Sequence, residues 1–237
     1  MFRLQQFAIA QDKCAMKVCT DALIFGAMAP IKPESTVLDI GAGTGILSLM
    51  AIQQGAAHVT AVELVQPAAN QAQQNVHNSP WPQQVTVIQS NITAYNTDQR
   101  FDLIMSNPPF FDNHLKNGCS ERKTARHTDT LSYQQLLTCA NQWLAPNGRI
   151  YVLVPLGVRD RLIGLAKHLG LSLDQQTNYI TKVGGKAKLC ALTFGHTPNV
   201  LKESSLIEVT IYDSHQQYTT QSSEILAKYL LRFATSH

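Results

Sequence analysis

Ser106-Asn107-Pro108-Pro109-Phe110-Phe111 is the stretch of this 237-residue chain with the most chemical content. Two consecutive prolines after a strand-like run make a rigid turn with few free backbone donors. Such a turn fixes the Asn107 side chain at the end of the run. The Asn107 carboxamide oxygen and the Pro108 carbonyl then offer two acceptors to the two hydrogens of one amino group. That arrangement suits a nitrogen whose lone pair is delocalised into a ring or an amide, which is a poor nucleophile. Acceptors on its hydrogens draw it toward tetrahedral geometry and aim its lone pair, without a strong base. Phe110 adds an aromatic face on which a flipped base would stack. The competing reading is a tight loop with two core phenylalanines.

Upstream, Thr36 to Ile40 runs into Asp39-Ile-Gly-Ala-Gly-Thr-Gly45 and then a helical pattern. Glycines between a strand and a helix let backbone approach a ligand closely. The spacing GxGxG is one residue tighter than the dinucleotide fingerprint. Gly41 and Gly43 with the Asp39 carboxylate fit a sulfonium carrying an amino-acid tail better than a pyrophosphate. Glu63 ends the next strand-like run, where an acid can accept hydrogen bonds from two ribose hydroxyls. Asn91 follows the third run, at the place for a polar contact to an adenine, and reads equally as a turn asparagine.

The elements that must position these residues alternate. Strands are predicted over Thr36–Ile40, His58–Val62, Val85–Ile88, Phe101–Met105 and Arg149–Val154. Helices are predicted over Ile46–Gln54, Pro67–His77, Tyr133–Leu144 and Asp160–Leu169. Short β-branched runs ending at glycines, with a proline in a first helical turn, support these assignments. Such alternation predicts an α/β fold with a doubly wound, mostly parallel sheet covered on both faces. Leu171–Thr181, Ala187–Phe194 and Leu206–Tyr212 read as further strands, and Ser223–Phe233 as an amphipathic helix. Without a clear linker, residues 1–237 read as one domain: an N-terminal lobe (1–30), a core (31–195) and a C-terminal extension (196–237).

Composition excludes several classes. A net charge of +3 is only mildly basic, so it permits a polyanionic partner without requiring one. The five cysteines form no CxxC pair and the eight histidines no helical pair, so neither a metal site nor a nucleophilic triad is expected. The cysteines read as reduced thiols, several of them buried, which favours a cytoplasmic location. The longest apolar stretch, from Ala22 to Pro30, is too short to span a bilayer. Lys116, Arg122, Lys123 and Arg126, after the proline turn, are candidate phosphate contacts, with a solvated loop as the alternative. Lys182, Lys186 and Lys188 around Gly184-Gly185 are a second basic group, equally readable as a plain turn.

Four stretches carry a resemblance along essentially the whole chain: Asp12 to Asp21 ahead of Ile24-Phe-Gly-Ala27, Asp39 to Gly45, Asn107 to Phe110, and Ala125 to Leu131. In these the sequence resembles the Rossmann-like class I methyltransferases with an Asn-Pro-Pro-aromatic motif. Among them it is similar to the bacterial tRNA(Val) N6-adenine methyltransferases, which act on the adenosine 3′ of the anticodon. The resemblance implies S-adenosylmethionine as cofactor, held by Thr20, Asp21, Asp39, Gly41, Gly43 and Glu63. It implies catalysis by Asn107 with Phe110 stacking, and a tRNA anticodon loop as partner. The chain departs from that pattern at Cys19 and Ala22 (glycines), Met28 (tryptophan), Asn91 (aspartate) and Phe110 (tyrosine). Alternatives are a glutamine N-methyltransferase acting on a release factor, an N2-guanine methyltransferase acting on rRNA, and a non-catalytic cofactor- or RNA-binding module.

Overall fold

The computed structural model describes residues 1–14, 16–109, 131–196 and 203–234. The chain opens with a two-stranded hairpin, β1 (Phe2–Arg3) and β2 (Ala8–Ile9), followed by helix α1 (Thr20–Ala27). The alternating run then follows: β3 (Thr36–Ile40), α2 (Ile46–Gln53), β4 (His58–Glu63), α3 (Gln66–His77), β5 (Val85–Gln89) and β6 (Phe101–Ser106). After these come α4 (Tyr133–Trp143), β7 (Leu144–Pro155), α5 (Arg159–His168), β8 (Leu171–Lys182), β9 (Leu189–His196), β10 (Ser205–Tyr212) and α6 (Thr220–Leu226).

Among the described residues, β3 to β10 form one sheet in the order β10-β8-β9-β7-β6-β3-β4-β5. Its strands run parallel except β9, which is antiparallel to both neighbours. This is the doubly wound, Rossmann-like arrangement expected from the alternation. The sheet separates two cores. On one face Leu23, Ile24 and Phe25 of α1 and Leu49 and Met50 of α2 pack over Val37, Leu103 and Tyr151. On the other, Leu136, Leu137 and Trp143 of α4 and Leu162 of α5 cover Leu38, Ile104, Ile150 and Phe194. Central strands buried on both sides explain why β3 reads as a nearly continuous apolar run.

Local chemistry sets several boundaries. Pro67 sits in the first turn of α3, where its missing N–H costs nothing. A capping box starts α4: Ser132 Oγ accepts from the Gln135 N–H at 3.2 Å, and Gln135 Oε1 accepts from the Ser132 N–H at 3.0 Å. The expected helix over Ser223–Phe233 is a correction. α6 starts earlier, at Thr220, and stops at Leu226; a short 3-10 turn follows at Leu231–Phe233. The N-terminal hairpin takes the carbonyls a longer helix would have used. The Gln5 N–H donates to the Tyr229 carbonyl, and its side-chain amide donates to the carbonyls of Ala227 and Leu230. Tyr229 and Leu230 are buried all the same, so the apolar spacing was real but served a turn.

Candidate functional site

The strand order reverses between β3 and β6, and the crevice beyond their carboxyl ends is where open α/β sheets take ligands. A cavity of about 420 Å³ lies there. Its walls include Gly41 and Gly43 after β3, Glu63 at the end of β4, Asn91 after β5, and Asn107 and Pro108 after β6. Among the described residues that line it there is no lysine or arginine. A polyphosphate would find no cationic side chain in these walls.

Gly41 (φ 76°) and Gly43 (φ 56°) both sit in the left-handed region, and a Cβ on either would meet nothing within 4 Å. Backbone conformation, rather than crowding, demands glycine there. The Glu63 carboxylate braces this loop. One oxygen accepts from the Gly43 N–H and the other from the Val65 N–H, both at 2.8 Å. The acid expected to meet a ribose is thus already oriented by two backbone amides, with 8% of its surface exposed at the cavity.

Asp39 lies beneath the loop and is fully buried, outside the cavity lining. Ser48 of α2 donates to its Oδ2 at 2.6 Å, and Oδ1 has no partner among the described residues. Burial lifts the Asp39 carboxyl to about 7; the Glu63 charge adds to this and the Ser48 hydrogen bond opposes it. In the unfolded chain the same group ionises near 4. Between the two values the folded state keeps a proton that the unfolded state has lost. Stability of the ligand-free protein should therefore fall as pH rises from about 4 to about 7 and then level off. Asp39→Asn is expected to flatten that slope and to stabilise the free protein at pH above 7, by on the order of a few kcal/mol. Urea unfolding across this range checks it; parallel profiles for the two proteins would refute a buried, proton-holding Asp39.

Ser106 locks the switch point, donating its buried hydroxyl to the Ile40 carbonyl at 2.8 Å. Asn107 follows it, half-buried, and its carboxamide Oδ1 is buried with no partner among the described residues. Asn91 is exposed, and its Oδ1 accepts from the backbone and the hydroxyl of Thr93 at 3.0 and 2.9 Å. The turn reading accounts for that oxygen, while the residue still lines the cavity.

Thr20 and Asp21 are not among the cavity-lining residues. They start α1, where the Thr20 hydroxyl bonds the Tyr212 hydroxyl at 2.8 Å and desolvation raises the Asp21 carboxyl. Phe110, Lys116, Arg122, Lys123 and Arg126 lie outside the described residues, as does Cys119. Of the described cysteines only Cys190 is buried; Cys14 and Cys139 are half-buried and Cys19 is exposed. This corrects the expectation of several buried thiols. Among the described residues no group of three or more His, Cys, Asp and Glu could hold a metal ion. Nor is any helix among them long and apolar enough to cross a membrane.

One wall of the cavity carries no catalytic motif in the sequence. Cys14 and Met16 close the cavity on the side of the N-terminal segment. Two buried polar residues of α3 hold that segment. Asn75 accepts from the Ala10 N–H at 2.8 Å and donates to the carbonyls of Ala10 and Thr44 at 2.9 Å. Gln71 accepts from the Lys13 N–H at 3.0 Å and donates to Asp12 at 2.7 Å. The available signal was an amide pair four residues apart on the alanine-rich face of Ala68, Ala69, Ala72 and Val76.

A family model described as methyltransferase small domain matches residues 20–170. A Bacteroides fragilis protein described as a tRNA1(Val) (adenine(37)-N6)-methyltransferase is 37% identical, over 96% of this chain and 98% of its own length. A Glaesserella parasuis protein of the same description is 40% identical, over 94% of this chain and 95% of its own. Among solved structures, the ribosomal protein L11 methylase of Lactobacillus delbrueckii subsp. bulgaricus has the same fold. Its TM-score is 0.59 at 18% identity, covering 79% of this chain and 83% of that one.

Proposed function

Because the chain belongs to the family of bacterial tRNA1(Val) (adenine(37)-N6)-methyltransferases, built on the methyltransferase small domain, we propose that it methylates N6 of the adenosine 3′ of the anticodon in tRNA(Val), in the cytoplasm. The observation that carries this reading is the buried Asn107 Oδ1 at the rim of the cavity, without a partner among the described residues. An acceptor desolvated without a partner is costly unless something donates to it during function. An exocyclic amino group is such a donor.

S-adenosylmethionine, when bound, supplies an electrophilic methyl group. The site suits it on two counts: no cationic side chain lines the cavity among the described residues, and Asp39 Oδ1 has no partner among them, so the cofactor's positive charge would favour the ionised carboxylate beneath the loop. Gly41 and Gly43 would let backbone approach it, Glu63 would accept from its ribose, and Asn91 would flank its adenine. Thr20 and Asp21 keep their place in this set on the resemblance alone. Asn107 and the Pro108 carbonyl orient the substrate nitrogen, and Phe110 stacks on the target base. An anticodon loop already exposes bases, so flipping costs less than in a duplex.

Methyl incorporation into tRNA(Val), an rRNA fragment and a release-factor protein tests the reading, using native unmethylated tRNA as well as a transcript. N6-methyladenosine confined to the tRNA, at the base 3′ of the anticodon, is the expected result. Methylglutamine or N2-methylguanosine would move the assignment to another acceptor, and cofactor binding without transfer to a sensing module.

A further inference from the structure

The carboxyl edge of the sheet has two unlike halves. One is the cavity over β3, β4 and β5, with no lysine or arginine among its described walls. The other is formed by β7, β8 and β10, which point the same way, and by the start of the antiparallel β9. There the β8–β9 turn projects Lys182, Lys186 and Lys188, all exposed. None of the three side chains forms an ion pair or hydrogen bond among the described residues. Of the acids on neighbouring elements, Asp160 pairs with Arg159 at 2.7 Å, Asp213 accepts from the N–H groups of His215 and Gln217, and Asp21 acts on Tyr179 and Tyr212.

The turn is anchored at both ends and closed by one bond of its own. The Val183 N–H donates to the Tyr212 carbonyl, the Leu156 N–H to the Lys188 carbonyl, and the Gly185 N–H to the Lys182 carbonyl, at 2.9, 2.8 and 2.8 Å. A Cβ on Gly185 would meet the Lys182 carbonyl at 2.8 Å, and Gly184 has φ 76°. Turn geometry therefore explains the glycines in full. It does not explain three lysines unpaired among the described residues, nor the 57% exposed Val183, on a loop held on the same carboxyl edge.

We infer that this turn is the docking shelf for the substrate's sugar–phosphate backbone, with Lys182, Lys186 and Lys188 contacting phosphates that flank the target base. The inference rests on the RNA reading above. β8 lies three strands from β6 and β9 two, and by the strand register Lys182 lies five residues and Lys188 three beyond the level of Asn107, so the lysines stand roughly 15–20 Å from it. That is too far to touch the reacting base and suited to the strand that flanks it. A polyanion meets its counter-charge on this half of the edge, and the other half is left to the cofactor.

The test compares wild type, a Lys182→Gln/Lys186→Gln/Lys188→Gln variant and a Lys32→Gln/Lys167→Gln control, whose lysines lie at the amino edge. Binding of an anticodon stem–loop RNA is measured over a salt series, with S-adenosylmethionine affinity and thermal stability alongside. The triple variant is expected to lose about 2 units of log–log salt slope, roughly 0.7 per phosphate contact. Cofactor affinity and melting should not move, and the control should match wild type. A wild type that binds and methylates RNA beside a triple variant of unchanged slope overturns the shelf alone. A wild type that binds no RNA overturns the shelf together with the reading beneath it.

Discussion

Asn107→Ala is expected to lower turnover by roughly 10²–10³ and to leave cofactor affinity nearly intact, the scale for losing one preorganised polar contact at a reacting centre. The split follows from position. Asn107 stands at the end of β6, which the Ser106–Ile40 hydrogen bond ties to β3 and hence to the glycine loop. Its Oδ1 bonds nothing among the described residues, so truncation breaks no hydrogen bond seen in the free protein. The loss falls on the step in which an amino group must be held and aimed. Single-turnover kinetics with saturating cofactor separate that step from binding. A variant that turns over near the wild-type rate would make Asn107 a structural residue and end the proposed chemistry.

Glu63→Ala is expected to weaken S-adenosylmethionine binding by on the order of 1–3 kcal/mol, the cost of unpairing ribose hydroxyls. The structure adds a second route to the same loss. The carboxylate also holds the N–H groups of Gly43 and Val65, so truncation frees the loop that approaches the ligand. Glu63→Gln keeps the length and volume but leaves one acceptor oxygen where two are in use. Its binding loss should lie between wild type and Glu63→Ala. Titration calorimetry showing unchanged affinity for Glu63→Ala would remove the residue from the cofactor site, and equal affinity for NADH would undo the cofactor assignment.

What the sequence made legible was set by periodicity and punctuation. β3, β4 and β6 and helices α2 to α5 fall within a residue or two of their expected ends, because β-branched runs stop at glycines and helices start at proline or a capping serine. β7 begins earlier than expected, at Leu144, because the strand follows α4 without a loop and Gly148 lies inside it. Gly41, Gly43, Glu63, Asn91 and Asn107 do meet in one cavity, since each ends a parallel strand and parallel strands share one carboxyl edge. Ser48 was illegible, because a hydroxyl in an apolar helix carries no mark of the buried acid it meets. The broken helix after Leu226 was hidden for a similar reason. Gln5 intercepts its carbonyls from more than two hundred residues away, and no local pattern reports that.

The attachment of the N-terminal segment has a consequence for the timing of each cycle. Four hydrogen bonds with Gln71 and Asn75 fasten residues 10–13 to α3, and among the described residues no strand ladder joins them there. At about 1 kcal/mol net apiece, their release costs a few kcal/mol, less than the roughly 5–15 kcal/mol that unfolds a domain. Spent cofactor has to leave after every transfer, and a wall held in this way could come away while the sheet stays whole. Were it to open, the residence time of product would depend on two amide side chains remote from the reacting atoms, and hydrogen exchange at the Ala10 and Lys13 amides would report the opening directly.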